Sequence, residues 1–169
     1  IEPKPATTAE PERGDRTSYV GLDVALSSLA AVANLRAAWG AWNIDSTVYR
    51  WDGGRFIEFQ SIPTSGACDW EFFTAGKDAY LAVANGRWSV SSFTPDSRVY
   101  RWTGANFEEM LSILTDSAHD WEAFAIGSDF YLAVANYRDN STWMRDSVIY
   151  KATLAPREHL AYLPLLLKS

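Results

Sequence analysis

The sequence predicts an all-β protein built from β-propeller blades, as about three four-stranded antiparallel sheets stacked face to face. Three observations support this fold class. The motif Ala-Val-Ala-Asn recurs twice at a constant step of 51 residues, so the chain repeats one structural unit. The segments inside each unit are short, β-rich and bounded by turn residues. Bulky residues are consecutive within them, so both faces of each strand need the cover that stacked sheets provide.

The composition excludes several classes of protein. The chain has 169 residues, of which 47% are hydrophobic and 21% charged, and its formal net charge is −6. It is too apolar for a disordered chain, and its charge has the wrong sign for following nucleic-acid phosphates. No apolar run approaches the roughly 20 residues of a membrane helix. The single cysteine excludes an intrachain disulfide. We therefore expect neither nucleic-acid binding nor a membrane span.

The elements follow in order along the chain. Residues 1–16 are expected to form a disordered linker, because prolines and charges dominate them. Residues 17–68 form a degenerate first repeat and blade, which lacks the Asp-Trp-Glu motif found in the others. Residues 69–119 and 120–169 form the second and third. The apolar tail of the third repeat is predicted to be an edge strand, where its proline is tolerated. The alternative is an export or sorting tail.

Two long segments that lie one repeat apart align without a gap. Residues 45–84 and 96–135 share 24 identical residues in 40 positions. Around the second repeat, four strands are predicted at residues 70–75, 80–85, 98–102 and 107–113, separated by turns. Because the aromatic residues recur at fixed positions, we expect the same contact at each junction between blades.

The repeated motifs resemble the epitempin repeat, also called the EAR or EPTP repeat. They are Tyr-Leu-Ala-Val-Ala-Asn, Asp-Ser-x-Val-Tyr-Arg-Trp, Gly-x-x-Phe-x-Glu and Ala-x-Asp-Trp-Glu-x-Phe, and they occupy about residues 28–151. The resemblance implies a seven-bladed propeller, extracellular or exported placement and a protein-binding role without catalysis. Three blades are fewer than a closed ring contains, so further blades are expected from the same or another chain.

Six residues are candidates for binding a partner. Three arginines each follow the repeated asparagine by two residues: Arg36, Arg87 and Arg138. They would attract an acidic partner, or else hydrogen-bond to loop carbonyls or to the repeated aspartates Asp45, Asp96 and Asp146. Three aromatic residues precede those aspartates by three positions: Trp42, Phe93 and Trp143. They would form an exposed face for protein or glycan, or else cover their own blades as lids.

The acids of the Asp-Trp-Glu motif are candidates for binding a cation. Asp69 and Glu71 lie two residues apart, as do Asp120 and Glu122, so each pair points to one face of a strand. Beside a central channel, Asp69 and Asp120 would belong to an oxygen ring suited to calcium. The resemblance implies such a cation in some family members. Alternatively, the aspartate caps a turn and the glutamate is solvated at the channel mouth.

We therefore expect a non-catalytic extracellular scaffold that mediates protein–protein interaction. The alternative is a carbohydrate-binding propeller that uses the tryptophan-rich loops, and a propeller hydrolase is a third hypothesis. No catalytic triad signature, phosphate-binding loop or metalloprotease motif occurs in the sequence. Cys68 and His119 occupy equivalent positions and are expected to be variable packing residues. Asn140 begins an Asn-Ser-Thr glycosylation signal.

Overall fold

The fold is seen in a computed structural model that describes residues 19–21, 28–37, 40–154 and 160–165. The regular elements in these ranges are all β-strands, and they form three four-stranded antiparallel sheets. The predicted all-β fold is thereby confirmed, whereas a seven-bladed total stays a prediction. The linker predicted for residues 1–16 lies outside the described ranges. Within those ranges, no helix could cross a lipid bilayer.

Each sheet is a meander whose strands pair in chain order. The first sheet contains β1 (Tyr19–Gly21), β2 (Leu29–Val32), β3 (Asn43–Trp51) and β4 (Phe56–Ser65). The second contains β5 (Ala67–Ala75), β6 (Asp78–Asn85), β7 (Asp96–Trp102) and β8 (Phe107–Leu114). The third contains β9 (Ala118–Ile126), β10 (Asp129–Asn136), β11 (Val148–Leu154) and β12 (Leu160–Leu165). In the tail, β12 pairs with β11 and places Pro164 opposite Tyr150.

Neighbouring sheets pack face to face, and one buried apolar cluster fills each junction. Alternate residues of β6 point to opposite faces of the sheet and pack into the two different junctions. Leu81 and Val83 belong to the cluster shared with the first sheet. Ala82 and Ala84 belong to the cluster shared with the third. The Leu-Ala-Val-Ala segment of the motif Tyr-Leu-Ala-Val-Ala-Asn is therefore apolar throughout, because its strand is covered on both faces.

Two tryptophans at equivalent positions anchor these junctions. Trp70 of β5 and Trp121 of β9 are 2% and 1% exposed. The Trp121 indole Nε1 donates a hydrogen bond of 3.0 Å to the Val83 carbonyl, so it reaches from the third sheet into the second. Burying an aromatic ring of this size contributes at most about 4–6 kcal/mol. Both rings therefore lie in the apolar cluster of a junction, whereas Trp70 Nε1 has no hydrogen-bond partner among the described residues.

The repeated asparagine ties each sheet to the one before it. Asn85 Oδ1 accepts a hydrogen bond from the Ser65 backbone N–H at 3.0 Å, and its Nδ2 donates to the Asp96 carbonyl at 2.7 Å. Asn136 makes the same two bonds, with Asp116 and with the Asp146 carbonyl. The position needs both a donor and an acceptor, which the asparagine amide supplies. It also fixes the start of the loop that carries the candidate residues.

The strands nearest to one another across the junctions are the first of each sheet. Strand β5 lies beside both β1 and β9, so these three strands line one side of the stack. The fourth strands, β4, β8 and β12, are the opposite edges of their sheets. This is the arrangement of propeller blades, in which the first strand of each blade lies nearest to the axis.

Candidate partner-binding site

The six loop residues come together in one alternating row, which we call the arginine–aromatic ladder: Arg36, Trp42, Arg87, Phe93, Arg138 and Trp143. The guanidinium carbon Cζ of Arg87 lies 4.5 Å from the ring centroid of Trp42 and 4.3 Å from that of Phe93. Arg138 Cζ lies 3.7 Å from the centroids of both Phe93 and Trp143. The ladder therefore crosses both junctions between sheets. Each such contact contributes about 0.5–2 kcal/mol, more when desolvated.

The ladder has the period of the repeat because each loop supplies one cation and one ring. The arginine follows the anchored asparagine, and the aromatic residue comes just before the next strand of the same sheet. At the other end of the row, Arg36 Cζ lies 5.6 Å from the centroid of Trp42. Each interior guanidinium thus stacks on a ring from its own sheet and on a ring from the preceding one.

Burial differs sharply along the ladder. Trp42 and Phe93 are 5% and 9% exposed, and two guanidinium groups lie over each ring. Trp143 is 65% exposed and has Arg138 on one side. The structure therefore places two of the three predicted aromatic residues inside the ladder. Trp143 alone among the three presents most of its surface to solvent.

The arginines also hydrogen-bond to carbonyls of their own loops. Arg87 donates from Nε to the Ser89 carbonyl at 3.0 Å and from Nη2 to the Val90 carbonyl at 2.8 Å. Arg138 donates from Nε to the Asp139 carbonyl at 3.2 Å. Of the interactions predicted for these two arginines, the structure shows those with loop carbonyls.

The repeated aspartates have other partners. Asp45 Oδ2 accepts a hydrogen bond from the Ser61 hydroxyl at 2.5 Å, and Asp96 Oδ2 accepts one from Ser112 at 2.8 Å. Both bonds join the third and fourth strands of one sheet. These carboxylates therefore fasten an edge strand to its sheet.

The positive charges of the ladder lie close to one another. Burial lowers the pKa of Arg87 from its usual value, and the charges of Arg138 and Arg36 lower it further. Within the described ranges, neither Arg87 nor Arg138 forms an ion pair, since the ion pairs there involve other side chains. The ladder is thus a positive row in a chain whose net charge is negative.

The ladder borders a cleft of about 710 Å³. Residues that vary among the repeats also line it. Leu35, Gly86 and Tyr137 all follow the repeated asparagine, and all three contribute to the lining. Cys68 and His119, which share another variable position, line it as well. Repeated residues build the framework of the cleft, and variable residues shape its surface.

Sequence reasoning missed four of these lining residues: Leu35, Gly86, Ser117 and Tyr137. Tyr137 packs against His119 with ring centroids 5.2 Å apart and is 46% exposed. Ser117 lies in the connection between the second and third sheets and adopts a φ of 50°. The signal that could have revealed them is variation at a position beside a repeated residue. A search for repetition alone passes over that signal.

The paired acids lie at the junction of β5 and β9. Glu71 Oε1 accepts a hydrogen bond from the Ala123 N–H at 3.0 Å, and Asp69 Oδ2 lies 3.5 Å from the Trp121 backbone nitrogen. The pKa of Glu71 is raised to about 7, chiefly by burial and also by the charges of Glu122, Asp69 and Asp120. The hydrogen bond from Ala123 opposes this rise. Glu71 thus joins two sheets, whereas Glu122 is exposed.

These acids do not form a complete calcium site among the described residues. No group of three or more His, Cys, Asp or Glu side chains in those ranges is placed to hold a metal ion. Calcium takes about six to eight oxygen ligands, so Asp69 and Asp120 would need ligands from elsewhere in a ring. Calcium binding stays a prediction.

Comparison with known proteins identifies the family. Residues 55–103 and 106–151 match the model of the EPTP domain. The human thrombospondin-type laminin G domain and EAR repeat-containing protein is 42% identical over 150 residues, which cover 84% of this chain and 19% of that protein. The mouse protein of the same name is 40% identical over 130 residues, 72% of this chain and 17% of that protein. The chain thus spans less than a fifth of these relatives, and it belongs to the EPTP, or EAR-repeat, family.

Proposed function

We propose that this chain is part of a non-catalytic, extracellular propeller that binds a protein partner at the cleft beside the arginine–aromatic ladder. One observation carries the proposal: repeated residues hold the framework, and residues that differ among the repeats line the cleft. A rigid frame with variable lining is how repeat proteins present a specific binding surface. Membership of the EPTP family supports a repeat-based interaction domain.

The exposed side chains favour a protein over a glycan. Sugar binding by tryptophan needs an open ring face, and the Trp42 ring is buried with two guanidinium groups over it. Trp143 and Tyr137 are exposed beside each other, with ring centroids 6.4 Å apart. Exposed aromatic residues next to an arginine are the composition of protein-binding hot spots. Glycan binding is the alternative that the experiment must separate.

The paired acids support a role without catalysis. A general acid or base must reach a substrate, whereas Glu71 accepts a hydrogen bond from the backbone of β9. Extracellular placement is supported by Asn140, which begins a glycosylation signal in an exposed loop. Its Oδ1 accepts a hydrogen bond from the Phe93 N–H at 2.7 Å.

Site-specific photo-crosslinking tests the proposed function. Benzoylphenylalanine, a photo-crosslinking amino acid, replaces Trp143, and the protein is added to cells that carry the partner. On illumination, position 143 should crosslink to a protein of those cells. The matched control replaces Trp51, which is 44% exposed at the opposite end of its sheet from the ladder loops. Crosslinking from both positions alike, or from neither, would contradict a binding site at the cleft. Loss of binding to cells after enzymatic removal of their glycans would favour the glycan alternative.

A further inference from the structure

The guanidinium edges in the cleft indicate the class of ligand that it binds. Stacking between rings occupies the flat faces of a guanidinium group and leaves its N–H edge available. In Arg87 that edge already donates to two loop carbonyls. In Arg138 the single hydrogen bond to a described residue uses Nε. Both Nη amino groups of Arg138 therefore have donors to offer at the wall of the cleft.

The position of Arg138 is fixed before any ligand arrives. Its Cζ lies 3.7 Å from two ring centroids, the shortest such distances in the ladder, and Nε is held by a carbonyl. A guanidinium held in this way loses little conformational entropy when it binds. Its two amino groups match the two oxygens of a carboxylate, which they can bind as a bidentate pair.

Charge favours an anion at this point. Arg87 and Arg138 both stack on Phe93, and within the described part of the chain no carboxylate pairs with either. Burial is the main cause of the lowered pKa of Arg87, and a bound carboxylate would relieve the smaller contribution from repulsion by Arg138 and Arg36. Aromatic side chains stand beside this positive wall, namely Tyr137 and Trp143. The cleft therefore matches an acidic group next to an apolar one.

We infer that the cleft binds an acidic segment of a protein partner, with an Asp or Glu carboxylate paired to Arg138 and a neighbouring apolar side chain packed on Trp143. This inference rests on the proposed function and names the chemistry of its ligand. The Ser117 hydroxyl lies in the same lining as a further donor. Peptide carboxylates are favoured over sulfated glycans because the exposed aromatic rings beside the arginine suit an apolar side chain.

The test measures binding of a fluorescein-labelled poly-glutamate peptide to the whole protein by fluorescence anisotropy. A poly-glutamine peptide of equal length is the uncharged control. Arg138→Gln should weaken poly-glutamate binding about tenfold or more, since a charge-assisted hydrogen bond is lost. Arg55→Gln is the matched control, because Arg55 is 81% exposed and lies in a distant hairpin. It should change the affinity by less than about twofold.

Several outcomes would overturn the inference: poly-glutamine binding as tightly as poly-glutamate, no binding of poly-glutamate, or equal losses in the two variants. Tighter, competitive binding of a heparin oligosaccharide would instead identify a glycan site. If Arg138→Gln does not fold, the comparison of the two peptides on the unaltered protein decides the matter. Should position 143 crosslink a partner that poly-glutamate fails to displace, the proposed function stands and this inference falls. If poly-glutamate binds in an Arg138-dependent way but no protein is crosslinked, the acidic ligand is supported and the proposed protein partner is contradicted.

Discussion

At the scale of single residues, the two connections between sheets differ at one backbone position. Gly66, with a φ of 57°, leads from β4 to β5, and a Cβ atom there would lie 2.9 Å from the Arg87 carbonyl oxygen. The equivalent residue between β8 and β9 is Ser117, with a φ of 50°. Its backbone adopts the left-handed conformation that favours glycine. Ser117 is buried and lines the cleft, so strain and a binding surface coincide there.

Ser117→Gly should raise the free energy of unfolding by up to about 1 kcal/mol, because glycine adopts this conformation without strain. Urea unfolding followed by tryptophan fluorescence measures the change. Gly66→Ala is the control and should lower stability, since its Cβ meets a backbone oxygen that cannot move freely. A destabilised Ser117→Gly variant would show that the hydroxyl contributes more to the fold than the backbone strain costs.

The raised pKa of Glu71 links stability to pH. Its value is about 7 in the folded protein against a usual 4.5, so folding favours the protonated carboxyl group. The resulting stabilisation is complete below pH 4.5 and is lost as the pH rises through about 7. Above that range the partly buried negative charge opposes folding, and the nearby acids Glu122, Asp69 and Asp120 add to the repulsion.

Glu71→Gln removes this charge and keeps an oxygen that can accept the Ala123 hydrogen bond. After allowance for solvent screening, the variant should be more stable than the native protein by about 1–2 kcal/mol near pH 8. The two proteins should be similar near pH 4.5. Thermal unfolding at both pH values measures this. A difference independent of pH would contradict the raised pKa. If calcium occupies the channel, the difference should shrink with added calcium and return after chelation.

At the scale of the elements, the junction between two sheets is the unit of stability. The Trp121 side chain belongs to the cluster shared by the second and third sheets, together with Ala82 and Ala84 of β6. These small side chains leave room for the indole ring, and Val83 accepts its hydrogen bond. Along β6, Leu81 and Val83 thus face one junction, whereas Tyr80, Ala82 and Ala84 face the other.

Trp121→Ala should lower the free energy of unfolding by about 3–5 kcal/mol, because it leaves a cavity and an unpaired carbonyl. Chemical denaturation measures the loss. Trp143→Ala is the matched control, since its ring is 65% exposed, and it should cost far less. Equal unfolding curves for Trp121→Ala and the native protein would show that the ring does not support the junction.

The strands could be predicted from the sequence, and much of the site could not. The step of 51 residues and the turn residues locate the strands, because each sheet is built from consecutive segments. The interleaving of Arg87 with Trp42 depends on how loops of different sheets approach, which no local pattern encodes. Glu71 and Glu122 likewise have the same sequence context but different burial, since only Glu71 has a neighbouring sheet on its acceptor side.

At the scale of the whole molecule, the third sheet has one covered face and one open face. Ala135 is exposed, whereas its equivalent Ala84 is fully buried against the third sheet. Open apolar sheet faces of repeat proteins need a neighbour or a cap. The ladder is open at the same end, since Trp143 has a cation on one side.

The isolated chain should therefore associate as its concentration rises. Light scattering across a concentration series measures the mean mass, which should increase. Ala135→Arg should suppress this association, because it places a charge on the open face. Lys77→Glu, an exposed change in the β5–β6 turn, is the control and should leave association intact. A constant monomer mass at high concentration would contradict the prediction.

The family units and the sheets are out of step by one strand. Residues 55–103 contain β4 to β7, and residues 106–151 contain β8 to β10 and the first part of β11. Each matched unit thus begins with the fourth strand of one sheet and ends in the third strand of the next sheet. A unit excised at its own boundaries would contain incomplete parts of two sheets. Cuts just after Ser65 or Leu114 would instead fall between sheets. Shuffled or shortened arrays of this family should therefore be joined at these boundaries between sheets.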